Sequence, residues 1–251
     1  MDDISRRAFN AQTLGSLLAW SLLETFSRNN LFADEVKPIT TKWLRDVDEL
    51  ARQVRDQELR QVEWQAKVEE LFAKVDLHDL LKMIEFDAVT KNVKLLDKGA
   101  LSLRAKFPHV EGLPTKFVFG TQIFALKKGR SVIPHGHNNM ATAFLILKGE
   151  LRGRHYDRIE DLGDHLIIKP TLDKTFSVGG CSTVSDYKDN VHWFQALSDE
   201  AYIFNIHVYH VTPGSGYGPE RIYLNPEGEK LAGGLIRAPR MEHEDLLRIY
   251  G

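Results

Sequence analysis

The hydrophobic pattern of this chain changes character near residue 100. Between residues 40 and 85, apolar positions recur every three or four residues, which is the spacing of one face of an α-helix. Beyond residue 100, short runs rich in β-branched and aromatic residues alternate with turn signals such as Lys148-Gly149. The pattern therefore predicts a helical segment followed by a β domain.

Two apolar stripes define the predicted helices. They comprise Trp43, Leu44, Val47, Leu50, Ala51 and Val54, and then Trp64, Val68, Leu71, Phe72 and Val75. Thr40 or Thr41 is predicted to cap the first helix and Asp76 a later short one, because their side-chain oxygens can accept first-turn N–H groups. These helices are expected to be packing material or an oligomer contact, with no chemistry of their own.

The second part of the chain reads as an antiparallel sandwich or barrel, since many short strands are separated by turns. Strands are predicted at 116–119, 122–126, 143–147, 165–168, 191–197, 201–211 and 221–224, and a short helix at 242–250. The flanking apolar residues also favour a strand in the stretch from Ser131 to Met140. We divide the chain into four segments. These are a signal or docking helix (1–33), a helical segment (34–99), a β-barrel domain (100–225) and a C-terminal tail with a short helix (226–251).

Composition narrows the possible partners. The chain has 251 residues, of which 43% are hydrophobic and 27% charged, and its net charge of −2 gives no electrostatic case for nucleic acid. A single cysteine, Cys181, excludes an intramolecular disulfide. No run approaches the ~18 consecutive apolar residues of a membrane-spanning helix.

The first residues resemble a bacterial export signal. Ser5-Arg6-Arg7-Ala8-Phe9 precedes a moderately apolar stretch, as in twin-arginine signals for proteins that fold before export. Glu24 interrupts that stretch, and no A-x-A cleavage site follows it. The segment therefore predicts either a periplasmic protein or, if it is an amphipathic docking helix, a cytoplasmic one.

Three histidines are candidate metal ligands. His135 and His137 flank Gly136 in a predicted strand, where period-two alternation points both rings to one side. Pro134 suggests that this strand is an edge strand or ends nearby. His192 begins a later predicted strand. Neutral imidazole binds Fe, Cu, Zn or Ni well, so two strands of one barrel could supply a complete site.

The order of these motifs resembles the cupin superfamily, and within it the thiol dioxygenases: cysteine dioxygenase, cysteamine dioxygenase and the plant cysteine oxidases. The resemblance covers about residues 115–212 and rests on two stretches. They are Ser131-Val-Ile-Pro-His-Gly-His-Asn-Asn-Met140 and Asp189-Asn-Val-His-Trp-Phe194. It implies a jelly-roll barrel with Fe(II) on His135, His137 and His192, and Mn, Ni or Zn as alternatives.

The resemblance also concerns a residue that is absent. Most cupins carry a metal-binding Glu four or five residues after the second histidine, and here those positions are Ala141 and Thr142. Three neutral imidazoles are the ligand set of thiol dioxygenases. Such a set leaves three positions on Fe(II) open for a thiolate and dioxygen.

A second motif implies roles around the metal. Asn205, His207 and Tyr209 share one strand face and resemble the Ser-x-His-x-Tyr relay of cysteine dioxygenase. His207 and Tyr209 are accordingly expected to be catalytic, with Met140, Thr142, Asn205 and Gln122 lining the substrate pocket. The alternatives are a core histidine satisfied by backbone for His207 and a barrel aromatic for Tyr209.

Three departures from the family pattern bear on the substrate. Asn205 replaces the relay serine, and Thr142 occupies the place comparable to the cross-linking cysteine of animal cysteine dioxygenase. No arginine matches the one that grips the cysteine carboxylate. The nearby or substitute candidates for that role are His109, Gln122, Arg152 and Arg154.

The expected reaction is oxidation of a small thiol to a sulfinate with O2. The alternatives are another metal-dependent cupin oxygenase or isomerase, or a cupin that binds a ligand or senses a metal without turnover, because one fold hosts many functions.

Overall fold

The computed structural model describes residues 38–105, 107 and 111–251. The twin-arginine-like opening and His109 lie outside these residues. Five α-helices appear in the described part: α1 (Pro38–Arg55), α2 (Gln61–Phe72), α3 (Leu77–Met83), α4 (Phe86–Thr90) and α5 (His243–Tyr250). None of them is long and apolar enough to cross a membrane.

Twelve β-strands follow the first four helices. They are β1 (Leu101–Leu103), β2 (Gly120–Lys127), β3 (Ser131–Asn138), β4 (Met140–Lys148), β5 (Leu151–Asp161), β6 (His165–Phe176), β7 (Cys181–Val184), β8 (Val191–Ala196), β9 (Glu200–Tyr209), β10 (Glu220–Tyr223), β11 (Glu229–Lys230) and β12 (Ile236–Pro239).

The strands form two antiparallel sheets with jelly-roll topology. One sheet has the order β1-β2-β9-β4-β7, and the other has the order β10-β3-β8-β5-β6-β12-β11. From β2 to β10 the chain crosses between the sheets at every connection except β5–β6, which is the winding of a jelly roll. The prediction of a mainly β jelly-roll barrel preceded by helices is therefore confirmed.

The interior between the sheets is apolar at one end. Its buried side chains come from both sheets, as with Phe124, Phe144 and Ile203 on one side and Phe176 and Phe194 on the other. The opposite end of the interior holds the histidines considered below. The barrel therefore provides a dry apolar floor beneath a cluster of imidazoles.

The helical segment covers the outer face of the five-stranded sheet. Trp64 and Phe72 of α2 belong to one buried cluster with Ala143, Phe204 and Ile206 of the sheet. Polar contacts fix the same helix, since Ser185 donates a hydrogen bond of 2.8 Å to Gln65. Of the two roles predicted for the helices, packing material or an oligomer contact, the structure shows packing for α1 and α2.

Three local predictions have different outcomes. Asp76 caps α3, accepting a hydrogen bond from the Asp79 backbone N–H at 3.1 Å, as predicted. The cap predicted at Thr40 or Thr41 is wrong, because both residues lie inside α1. The strand predicted at 116–119 does not form. There the Val118 N–H donates to the Asp48 carboxylate of α1 instead of to a neighbouring strand.

The tail beyond residue 225 contributes strands as well as the predicted helix. β12 pairs with β6, and Leu246 and Tyr250 of α5 pack into a cluster with Trp193 on the outer face of the seven-stranded sheet. The tail therefore packs against the sheet that carries all three candidate ligands. Two of them lie on β3 and the third lies on β8.

We expect Trp64→Ala to lower the free energy of unfolding by about 3–5 kcal/mol, the range for truncating a large aromatic in a packed core. Trp64 is fully buried under the sheet. Urea unfolding followed by circular dichroism measures the change. Val62→Ala on the same helix, where the side chain is 44% exposed, is the matched control and should change little. Equal effects of the two substitutions would contradict a shared core.

Candidate metal centre

His135 and His137 reach the barrel interior because β3 contains a β-bulge. On β3, Val132 pairs with Phe194 of β8 and His135 pairs with His192, so three steps on β3 match two on β8. The extra residue places both histidines on the same side as Val132, which belongs to the interior core. Pro134 lies inside this bulge. β10 pairs only with residues 135–138 of β3, so at Pro134 the strand has no partner on the β10 side. The edge position suggested for this proline is therefore found locally, although β3 lies between β8 and β10 in the sheet as a whole.

The three predicted ligands converge. His192 lies directly opposite His135 across the β3–β8 ladder. The ring centroids are 4.4 Å apart for His135 and His192, 4.9 Å for His137 and His192, and 5.0 Å for His135 and His137. One nitrogen from each ring lies within 4.8 Å of the others, and this trio contains no carboxylate. One cation placed between the rings could contact all three nitrogens.

Backbone carbonyls determine which nitrogen of two of these rings is free. Nδ1 of His135 lies 2.7 Å from the Ile133 carbonyl oxygen, and Nδ1 of His192 lies 3.0 Å from that of Asn190. A carbonyl oxygen only accepts, so each Nδ1 carries the hydrogen and the lone pair of the neutral ring is on Nε2. This is the arrangement in which histidine ligates a metal through Nε2.

Buried nitrogens without partners support a metal at this position. Within the described residues, Nε2 of His137 and Nε2 of His192 are buried and have no hydrogen-bond partner. Unsatisfied buried polar atoms are uncommon in folded proteins, and an unseen ion is one of their ordinary explanations. The donor set is therefore suited to a divalent metal that accepts imidazole, such as iron, zinc or nickel.

Gly136 allows the strand and the loop before β8 to interlock. Asn190 donates hydrogen bonds of 2.8 Å to the His137 carbonyl and 2.9 Å to the Ser185 carbonyl. A Cβ atom at Gly136 would lie 2.6 Å from the Asn190 Oδ1 atom. The glycine between the two histidines thus leaves room for the side chain that fixes their strand.

Burial keeps the trio neutral. It lowers the pKa of His192 to about 3, and it lowers the pKa values of His135 and His137 well below the ordinary 6.5. The charged ring would lose water without gaining an acid as partner, and the positive charge of Arg221 adds to the effect. At neutral pH all three rings are therefore in the form that binds metals.

His155 is a fourth interior histidine beside the trio. It pairs with His192 across the β5–β8 ladder, and its ring centroid lies 6.1 Å from that of His192. It is 1% exposed, and burial lowers its pKa to about 3. His155 is therefore part of the barrel interior. The His155 ring packs beside the ligand ring of His192.

His207 and Thr142 form a pair next to the trio. They are partners across the β4–β9 ladder, and the Thr142 hydroxyl oxygen lies 3.0 Å from Nδ1 of His207. The same oxygen lies 3.4 Å from Nδ1 of His137. The contact of His207 is thus with a side chain, whereas the core alternative assumed a backbone partner.

The remaining residues predicted for the catalytic and substrate-binding site differ in how close they lie to the three histidines. Tyr209 is 37% exposed, and its ring centroid lies 6.0 Å from that of His207. Asn205 is fully buried and donates to the Gln122 and Ile203 carbonyls, whereas the Gln122 side chain donates to Ser102 at 2.6 Å. Met140 is buried at the start of β4, opposite Tyr209. Thr142 and His207 are therefore the predicted residues that adjoin the trio.

A cavity of about 200 Å³ opens onto His135. Its positively charged lining residues are Lys98 and Arg221, and its apolar lining includes Phe124 and Leu247. The Arg221 guanidinium lies 6.0 Å from the centre of the Phe124 ring. Among the residues that the structure describes, Arg221 has no acid or hydrogen-bond partner. A larger cavity of about 640 Å³ lies elsewhere and includes none of the three ligand histidines in its lining.

Arg221 is the functional candidate that sequence reasoning missed. It lies on β10 opposite His137 of β3, a pairing between residues far apart in the chain that no local pattern indicates. Arg152 and Arg154, which the sequence suggested as carboxylate-binding residues, are wrong for that role. Both pair with Asp173, at 2.7 Å and 3.3 Å, on the outer face of the seven-stranded sheet.

Comparisons with known proteins concern the fold. No family model matches this chain, and no curated protein matches it. Similar solved structures include procruciferin, the 11S globulin of Brassica napus (12% identity, 41% of this chain, 22% of that chain, TM-score 0.31). A recombinant oxalate oxidase in complex with glycolate matches at 18% identity, over 47% and 55% of the two chains, with a TM-score of 0.33. A cupin superfamily protein of Desulfitobacterium hafniense matches at 14% identity, over 47% and 84%, with a TM-score of 0.31.

The chain spans about half of the oxalate oxidase and about a fifth of the procruciferin. At these identities and TM-scores the similarity carries no argument about activity.

We expect the metal-free protein to lose stability as the pH falls below about 6.5, the ordinary pKa of histidine. His155, His192 and His207 each have a folded pKa of about 3, so the unfolded chain binds more protons over this window. Between pH 7.5 and 5.5 each should cost about 1 kcal/mol. Urea unfolding at the two pH values measures the loss. His78→Gln replaces an exposed histidine and is the control, since it should leave the loss of stability between the two pH values unchanged. A pH-independent stability would contradict buried neutral rings.

Proposed function

We propose that this protein is a non-haem iron dioxygenase that oxidises a small thiol to a sulfinate. The reaction is R–SH + O2 → R–SO2H, which is balanced without a further reductant. The observation that carries the proposal is the trio of buried histidines, with unpartnered buried Nε2 atoms on His137 and His192, no carboxylate among the three and a cavity opening onto His135.

The charge of the trio favours an anionic guest. Three neutral imidazoles leave both positive charges of a divalent ion uncompensated in a dry interior, where electrostatic attraction is strong. When bound, Fe(II) would lower the pKa of a coordinated thiol and would offer an adjacent position for dioxygen. The resemblance of residues 115–212 to thiol dioxygenases supports the same substrate class.

Arg221 supports a carboxylate on that thiol. An unpaired guanidinium offers a planar pair of N–H donors that matches a carboxylate, and Lys98, which also lines the cavity, adds a second positive charge that repels cationic molecules. A cavity of about 200 Å³ admits a small molecule only. We therefore propose that the substrate is a short thiol acid whose carboxylate lies on Arg221.

The surrounding side chains hold the reacting groups and keep water out. Phe144 lies 5.1 Å from the His192 ring, centroid to centroid, and packs on Phe194 at 4.9 Å. This aromatic floor closes the interior below the trio. Asn190 holds the His137 backbone, so the ligand rings stay in place when a guest enters.

We expect protein produced anaerobically with iron to bind one iron per chain and to consume O2 with cysteine or 3-mercaptopropionate. His192→Ala should lose both properties, because a three-ligand site without one imidazole binds weakly. Metal analysis and an oxygen electrode measure the two effects. His78→Gln should behave as wild type. Bound iron with no O2 uptake on any thiol would contradict the reaction, and iron retained by His192→Ala would contradict the site.

Arg221→Gln should raise KM for cysteine and 3-mercaptopropionate by about 10- to 100-fold, the loss expected for a charge-assisted hydrogen bond. Cysteamine has no carboxylate and carries an ammonium group that the charge of Arg221 repels, so its KM should not rise. Steady-state O2 uptake with the three thiols measures the contrast. Arg152→Gln, on the outer face of the barrel, is the matched control. Similar changes for all three thiols would contradict a carboxylate contact.

A further inference from the structure

We infer that Thr142 is a positioning residue that sets the tautomer of His207 and makes its Nε2–H a hydrogen-bond donor inside the barrel. The inference rests on metal binding by the trio, which is part of the proposed function. It starts from one hydroxyl oxygen, which lies 3.4 Å from Nδ1 of His137 and 3.0 Å from Nδ1 of His207. Thr142 is fully buried, so water does not compete for these contacts.

Metal ligation by His137 fixes the position of its ring hydrogen. Its Nε2 is buried and has no partner in the described part of the chain, which leaves this nitrogen for the metal. A neutral imidazole that ligates through Nε2 carries its hydrogen on Nδ1. The neighbour of that Nδ1 is the Thr142 hydroxyl, which therefore accepts.

The Thr142 hydroxyl then donates to the other ring. Having accepted from His137, Thr142 has one hydrogen to donate, and Nδ1 of His207 is the nearer of its two ring neighbours. Nδ1 of His207 then accepts. The reverse direction, in which Thr142 donates to His137, would put the hydrogen of His137 on Nε2 and block ligation. Metal binding thus selects one direction of the bridge.

Nε2 of His207 then carries the hydrogen of that ring. With Nδ1 accepting, the hydrogen of the neutral ring lies on Nε2, the nitrogen remote from the β9 backbone. This atom is buried and has no partner among the described residues. A buried donor without a partner is costly, so the position suits an acceptor atom of a bound guest. His207 thereby becomes a donor whose direction is fixed by a ligand of the metal through Thr142.

The tautomer can be observed directly in the zinc-loaded, 15N-labelled full-length protein, since zinc is diamagnetic. Long-range 1H–15N correlation spectra distinguish protonated from bare ring nitrogens, and His207→Gln identifies the signals of His207. We expect wild type and Thr142→Ser to show His207 with hydrogen on Nε2 and a bare Nδ1. Thr142→Val, which keeps the shape but lacks the hydroxyl, should move the 15N shift of the bare Nδ1 toward that of a ring nitrogen that accepts no hydrogen bond.

Zinc affinity gives a second readout, measured by competition with a chelator. Thr142→Val should weaken zinc binding about 10-fold, because the ligand His137 loses its hydrogen-bond partner, whereas Thr142→Ser should retain it. Wild-type protein with zinc bound and hydrogen on Nδ1 of His207 would overturn the bridge alone, even if Thr142→Val does not fold. An unchanged 15N shift of the bare Nδ1 in Thr142→Val would overturn it too. Wild-type protein that binds no zinc would overturn the metal site itself.

Discussion

Several imidazoles share the barrel interior without an acid among them. The cost of burying a charged ring therefore determines their protonation, and the hydrogen bonds of each ring determine which nitrogen is free. A ring that stays neutral avoids the cost of burying a charge, but it still needs a partner for its one N–H. In His135 and His192 that partner is a backbone carbonyl close to the ring itself. The hydrogen is thereby held near the strand, and the lone pair is left facing the interior. Local hydrogen bonds of this kind prepare the rings for a metal before any metal arrives.

The jelly roll supplies the positions from which these rings meet. β3, β8 and β5 are neighbours in one sheet, so His135, His192 and His155 form a row of cross-strand partners. The opposite sheet contributes the Thr142–His207 pair from β4 and β9. The apolar floor excludes water, which strengthens every electrostatic contact above it. The sheet that contains β3 also places Arg221 on β10 beside His137, so that the proposed metal site and the arginine proposed to bind a carboxylate adjoin one cavity.

Much of this architecture could be predicted from short-range patterns. Helical periodicity located α1 and α2, and the order of the two histidine motifs indicated both the barrel and the ligand set. What escaped prediction depends on pairing between distant strands. The bulge at Pro134 is visible only when the β3–β8 register is known, and without it period two alone would place Pro134, not His135, on the side of Val132. Arg221 lies in an unremarkable strand more than eighty residues after the first ligand. His155 gave no signal because its role depends on lying opposite His192.

The proposed chemistry needs three imidazole nitrogens on one metal and no protein carboxylate. X-ray absorption spectroscopy of the zinc-loaded protein tests this directly. We predict three imidazole nitrogens at about 2.0–2.1 Å, the usual Zn–N distance, with the remaining ligands from solvent. Two imidazoles or fewer, or a carboxylate from the protein in the coordination shell, would contradict it.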